Sequence, residues 1–254
     1  MIQHVCVTAA QMQAIEAQLF EAGFPVAALM EKVAGRIVDY GLRHWPRSQK
    51  IGVLVGPGHN GGDALVVARE LHLNGYDVGI YGPFDQRKPL TADHGRYCRS
   101  LGIPWYETWD ELETSLDPNS RILDGLFGFG LSRPLTGEIA AIVERINQSK
   151  RPVVSIDLPS GIHTDSGEVL GTAIRADTTL CLGLWKRACL QEAAQPYLGQ
   201  SNLIDFGIPW ASIVAVLGQS HQVQRLVPER DIRAIPLRRS PVAHKYTVGQ
   251  LLVL

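Results

Sequence analysis

The chain has 254 residues, and its 24 Lys and Arg against 25 Asp and Glu leave a net charge of −1, which excludes the basic footprint of a nucleic-acid binder and favours a small-molecule partner. The length fits one α/β domain, or one domain with an appendage, and is enough to bury a large core. The opening segment lacks a basic start followed by an apolar run and no stretch of about 20 apolar residues occurs, while Cys6, Cys98, Cys181 and Cys189 form no CxxC pair, so the expectation is a cytoplasmic, soluble protein with reduced thiols and no membrane partner.

In chain order, Thr8 is placed to cap a first helix whose Met12, Ile15, Leu19 and Phe20 share a face, and Gly23 and Pro25 end it. A second helix follows in VAALMEKVAGRIVDYGLRHW, with Leu29, Met30, Val33, Ile37 and Tyr40 as its buried stripe. Both stripes are read as internal packing or as a face for a homodimer. From Lys50 onward short apolar runs alternate with helical periods: KIGVLVG, a helix over 63–74, YDVGIYG, a helix near 91–101, SRILDGLFG, a helix over 136–148, RPVVSIDLPSG, ADTTLCLG and SNLIDFGIP. Five or six strands, several uniformly apolar, predict a mostly parallel, doubly wound sheet covered on both faces: a Rossmann-like αβα sandwich preceded by two helices. Ligands in such sheets bind at the carboxyl ends of the strands, which draws together 56–63, 124–134, 157–163 and, less strongly, 183–187.

The first of these, GPGHNG at 56–61, fits G-x-G-x-x-G, with Asp85 after the next strand where a ribose partner would stand. Two features oppose an ordinary dinucleotide site: Pro57 removes a backbone donor, and Asp63 near the helix start would repel a pyrophosphate. Asp63 is equally well read as a helix cap, while Gly61 and Gly62 would let a bulky ligand approach the backbone. In the second loop Asp124 ends a strand ahead of Gly128 and Gly130, and Arg133 suits a phosphate or carboxylate. In the third, Asp157 ends a strand and Ser160 follows three residues on. Asp124 and the Asp157–Ser160 turn also have purely local readings as turn caps. Asn60, Asp124 and Ser160 offer only oxygens with one carboxylate, a set suited to a hard cation of low charge, leaving Asp157 for acid–base work. No Ser-His-Asp spacing or G-x-S-x-G elbow supports a hydrolase.

Together AIEAQLFEAGFPVAALMEKVAG, GPGHNGGDALVVAREL, LDGLFGFGLSRPLTGE, IDLPSGIHTDSGEVLG and ADTTLCLGLWKRACL resemble the YjeF N-terminal family, the NAD(P)H-hydrate epimerases, over residues from about 8 to 207. The resemblance implies interconversion of the R and S forms of hydrated NADH and NADPH (NADHX and NADPHX), so that an ADP- or ATP-dependent hydrate dehydratase can repair both. It implies a substrate site at His59, Asn60, Gly61, Gly62 and Asp63, at Gly128, Phe129, Gly130, Leu131, Ser132, Arg133 and Pro134, and at Asp157, which would also be the proton-shuttling catalytic residue. It implies a potassium ion on Asn60, Asp124 and Ser160. His59 stands where such loops more often carry asparagine, and tuned binding is expected from it; Lys186 is read either as electrostatic support or as a solvent-facing lysine.

The tail SPVAHKYTVGQLLVL is similar to the opening of the dehydratase domain fused behind many bacterial epimerases. The expected division is an epimerase domain over 1–221, then a linker and the start of a dehydratase-like domain over 222–254, so that the chain is the N-terminal part of a bifunctional protein and does not itself dehydrate. Two other functions are carried forward: a non-catalytic binding module of the same fold, and an NAD-dependent oxidoreductase, which Pro57, Asp63 and the lack of a Tyr-x-x-x-Lys disfavour.

Overall fold

A computed structural model describes residues 2–218. The tail segment 219–254, on which the linker and dehydratase readings fall, lies outside the described residues.

The apolar runs form one seven-stranded, wholly parallel sheet in the order β4-β3-β2-β5-β6-β7-β9, from β2 (Ile51–Val55), β3 (Val78–Tyr81), β4 (Trp105–Tyr106), β5 (Arg121–Gly125), β6 (Val153–Ile156), β7 (Thr178–Leu182) and β9 (Gln200–Ile204). Uniform hydrophobicity is explained by burial on both faces. Val53 and Val55 of β2 join a core shared with α2 (Val26–His44) and α3 (His59–Leu73), whereas Leu54 between them joins the opposite core with Leu112 and Leu116 beside α5 (Trp109–Ser115) and with Ile142, Val143 and Ile146 of α6 (Gly137–Gln148). The seventh strand and α5 exceed the five or six strands that periodicity predicts: β4 has two residues and its neighbour α5 two turns, too short to carry a period.

α1 (Ala9–Glu21) starts where Thr8 predicts, in a capping box in which Thr8 Oγ accepts from Gln11 N at 3.1 Å and Gln11 accepts from Thr8 N at 2.9 Å. It ends in a Schellman motif on Gly23, whose φ of +93° a side chain would resist, with Phe24 N donating to Leu19 O at 3.0 Å. The stripes of α1 and α2 are consumed inside one chain, except that Phe20 and Tyr40 are half-buried and Tyr40 stacks on His44. A short parallel pair, β1 (Cys6–Val7) with β8 (Trp185–Lys186), ties the start of the chain to the segment after β7, and α1 packs on α8 (Trp210–Leu217). This strap lays α1 beside the carboxyl end of the sheet.

Candidate active site

Strand order reverses between β2 and β5, and at that switch point the carboxyl ends of β2, β5 and β6 open into a cavity of about 590 Å³. Its polar lining includes His59, Asn60 and Asp63 from α3, residues 126–133 from the loop after β5, Asp157 after β6 and Lys186 of β8. Phe20, Leu29, Met30, Val33 and Phe206 make an apolar wall, and Glu16 of α1 interrupts it.

Asp157 sits at φ +70°, in the left-handed region, as the central residue of a γ-turn closed by Leu158 N donating to Ile156 O at 3.0 Å. Such a conformation costs about 1–3 kcal/mol and persists only where surrounding bonds impose it. Those bonds are visible: Asp157 Oδ1 lies 2.5 Å from Lys186 Nζ, Oδ2 accepts from Phe129 N at 2.8 Å, and Oδ1 accepts from Leu182 N at 3.4 Å. Lys186 has no solvent exposure and also donates to Leu182 O at 2.5 Å. Burial, the largest single influence, works against its ammonium, but Asp157, Cys181 and Glu16 together outweigh it and hold its pKa above the ordinary lysine value. Every contact of the Asp157 carboxylate is thus a donor, and the ion pair fastens the second glycine loop to the β7–β8 segment.

Beneath that loop Asp124 is fully buried. Its oxygens accept from Ser160 Oγ at 2.6 Å, Ser155 Oγ at 2.8 Å, Ser160 N at 2.9 Å and Leu126 N at 3.2 Å. Burial raises its pKa against the pull of those donors. All four donors are neutral, so no side-chain cation among them balances the charge. Nearby, Asn60 Nδ2 is buried without a partner, and its Oδ1 faces Gly128, where an added Cβ would meet it at 3.0 Å. A buried carboxylate without a counter-cation, beside an amide oxygen and hydroxyls, fits a hard monovalent cation. Among the described residues no cluster of three or more His, Cys, Asp or Glu is arranged for a transition metal.

Charge in the cavity is unevenly held. Burial pushes the Glu16 carboxyl up to about 7, with Lys186 opposing and Asp157 adding to the shift. Burial, then Glu16, then Asp157 raise Asp63 well above the ordinary carboxylate range, again against Lys186. Burial and the neighbouring Lys88 ammonium, 3.5 Å from His59 Nε2, lower the His59 pKa and keep its ring neutral at pH 7.

The sequence matches the family described as YjeF-related protein N-terminus over residues 26–188, which spans these loops. The chain belongs to the YjeF N-terminal family. Among its curated relatives, the bifunctional NAD(P)H-hydrate repair enzyme Nnr of Thermosynechococcus vestitus is 54% identical over 98% of this chain and 48% of its own length. The NAD(P)H-hydrate epimerase of Limosilactobacillus fermentum is 34% identical over 78% of this chain and 95% of its own length. The chain therefore spans about half the length of the bifunctional relatives and nearly all of the shorter one. The crystal structure of yeast YNL200c shares the fold, with a TM-score of 0.73 at 22% identity, covering 87% of this chain and 99% of that one.

Within this YjeF-family fold several expected residues sit elsewhere than the sequence suggests. α3 begins at His59 behind an N-cap at Gly58, not at 63, so Asp63 lies one turn inside the helix and caps nothing. Its carboxyl turns into the cavity. Gly61 and Gly62 are there for internal packing: an added Cβ would sit 2.0 Å from Gly56 O in the first case and 2.5 Å from Met30 Cε in the second, and neither lines the cavity. Gly128, Phe129, Gly130, Leu131, Ser132 and Arg133 line it, whereas Pro134 does not. Asp124 and Ser160 lie below the loop, where Ser160 Oγ also accepts from Phe127 N at 2.9 Å. Asp85 is exposed in a separate loop and forms no part of the lining. Lys186 is interior, which removes the solvent-facing reading. Sequence reasoning missed Glu16 and Lys88. The signal for Glu16 was present, since it lies four residues after Met12 and three before Leu19, on the edge of an apolar stripe where a carboxylate needs a reason.

Proposed function

We propose that the chain epimerises NADHX and NADPHX at the hydroxyl-bearing ring carbon, as the names of its relatives indicate for them. The observation that carries this reading is the strained, ion-paired Asp157 carboxylate opening onto a cavity floored by the two glycine loops. Hydration of an enamine places the hydroxyl on the carbon attached to nitrogen, so the nitrogen lone pair can expel it and leave a planar ring open to attack from either face. Asp157, positioned by Lys186, takes the proton of the incoming water. His59, Asn60, Asp63 and the 128–133 loop hold the nucleotide, and Arg133 meets its phosphate groups. A potassium ion held by Asn60, Asp124 and Ser160 would supply fixed positive charge behind the loop.

In the cell we place the protein in the cytoplasm, consistent with four free, buried cysteines, as the epimerase domain (1–221) of a bifunctional repair enzyme or beside a separate dehydratase. Among the described residues no helix is long and apolar enough to cross a membrane. Light scattering decides between monomer and homodimer, for which the buried stripes of α1 and α2 argue neither way.

The test supplies mixed R and S NADHX with an S-specific dehydratase and follows the R remainder, with and without the protein, in potassium and in sodium. Rapid drainage of R only when the protein is present, faster in potassium, is expected. Drainage at the spontaneous rate, with the hydrate still bound, identifies a binding module instead.

A further inference from the structure

Inversion at one carbon needs chemistry on both faces of the ring. The departing hydroxide needs a proton on one side, and the incoming water needs a base on the other. Asp157 reaches the cavity from a strand end and serves one face. Of the other titratable groups in the described lining, Lys186 is committed to Asp157, His59 and Lys88 lie together at the exposed mouth, and Arg133 does not give up a proton. Glu16 and Asp63 remain. They enter the same cavity from α1 and α3, on the helical wall, and among the described residues no hydrogen bond or ion pair commits either side chain.

We propose that Glu16 and Asp63 form a proton-holding carboxyl pair that acts as the second acid–base group of the epimerisation, opposite Asp157. The inference rests on the epimerase reading above. In R-to-S conversion the nitrogen lone pair forms the C=N bond as the C–O bond breaks, and the hydroxide leaves as water with the proton of the pair. Water then adds from the other face, the C=N π electrons return to nitrogen, and Asp157 accepts the proton. One water leaves, one enters, and one proton passes from the pair to Asp157. The S-to-R direction runs through the same groups with Asp157 protonated and the pair ionised, and solvent exchange restores either form.

Two carboxyls brought together in a partly dry wall cannot both ionise, and burial pushes the Glu16 carboxyl up to about 7. The groups facing it are Asp63 from α3, Asp157 from the end of β6 and Lys186 from β8, while α8, packed on the far side of α1, carries no titratable residue. The acid form of Glu16 is present below that pKa and lost above it, so the part of R-to-S turnover that draws on its proton falls as pH rises through about 7.

The test compares wild type, Glu16→Gln, Asp63→Asn and Glu16→Asp in the coupled assay, in water enriched in oxygen-18. Wild type is expected to incorporate solvent oxygen once per inversion. Glu16→Gln should lose roughly 10²–10⁴-fold in both inversion and oxygen exchange with little change in hydrate affinity, and Asp63→Asn should lose inversion and oxygen exchange together. Glu16→Asp should recover part of the rate with a displaced alkaline limb. Wild-type rates in Glu16→Gln, inversion without oxygen exchange, a loss in Glu16→Gln matched by equal loss of hydrate binding, or an unmoved limb in Glu16→Asp each overturn the proposal. A wild type that leaves R at its spontaneous rate defeats the epimerase reading itself.

Discussion

Asp157 carries three constraints at once: a left-handed backbone, a buried ion pair and a bond to the loop amide of Phe129. Replacing it with asparagine keeps a side chain that tolerates positive φ but leaves the Lys186 ammonium buried without its counter-charge. The expected cost is about 3–5 kcal/mol in denaturant unfolding, together with loss of epimerase activity. Adding Lys186→Met to Asp157→Asn should return most of the stability and none of the activity, since the buried charge is gone but the base is still missing. Additive destabilisation in the double variant would mean that the pair does not act as a unit. At this scale the sequence was informative about strand-end residues and nearly silent about walls. Asp157, Asp124 and Ser160 were legible because they follow apolar runs in a parallel sheet, where position implies exposure to the switch point. Glu16 was marked only as a carboxylate on the edge of an apolar stripe, because its place in the cavity depends on α1 lying beside that switch point, where the β1–β8 pair and α8 meet it.

The second glycine loop is an element whose shape is written from below. Ser160 Oγ bonds both Phe127 N and Asp124, and Asp157 holds Phe129 N two residues along. Ser160→Ala leaves an amide and a carboxylate oxygen short of a partner, a cost of about 1–3 kcal/mol. In hydrogen exchange the amide of Phe127 should speed up roughly tenfold or more, while that of Phe129 changes less because Asp157 still holds it. Equal acceleration of both would show that the loop opens as one piece. Element types were legible wherever a segment was long enough to repeat its period, as α2 and the central strands were. The error at α3 has a physical source: Gly61 and Gly62 carry loop propensity, yet the close approach of Gly56 O and Met30 leaves room for no side chain, so packing overrides propensity.

At the scale of the whole molecule, the described residues 2–218 hold three hydrophobic clusters, the seven-stranded sheet and the cavity. If the proposed boundary holds, a chain cut after residue 221 should melt within a degree or two of the 254-residue chain and keep its epimerase rate. A large drop in melting temperature would place part of the folding unit in the tail and move the proposed domain boundary. The doubly wound architecture was readable because alternating runs and helical periods admit few other arrangements. How the two ends of the domain meet was not, since two-residue strands such as β1 and β8 leave no pattern. That meeting has a consequence for synthesis. Ala9–Glu21 leaves the ribosome well before Trp185–Lys186, which pairs with the strand just ahead of it, and Trp210–Leu217, on which it packs. At roughly 5–20 residues per second the delay is on the order of ten seconds, during which α1 lacks its α8 neighbour and relies on chaperones or transient burial for that face. Ala9–Glu21 is made long before its seat on α8, and a nascent chain has no closed cavity until Phe206 has been translated.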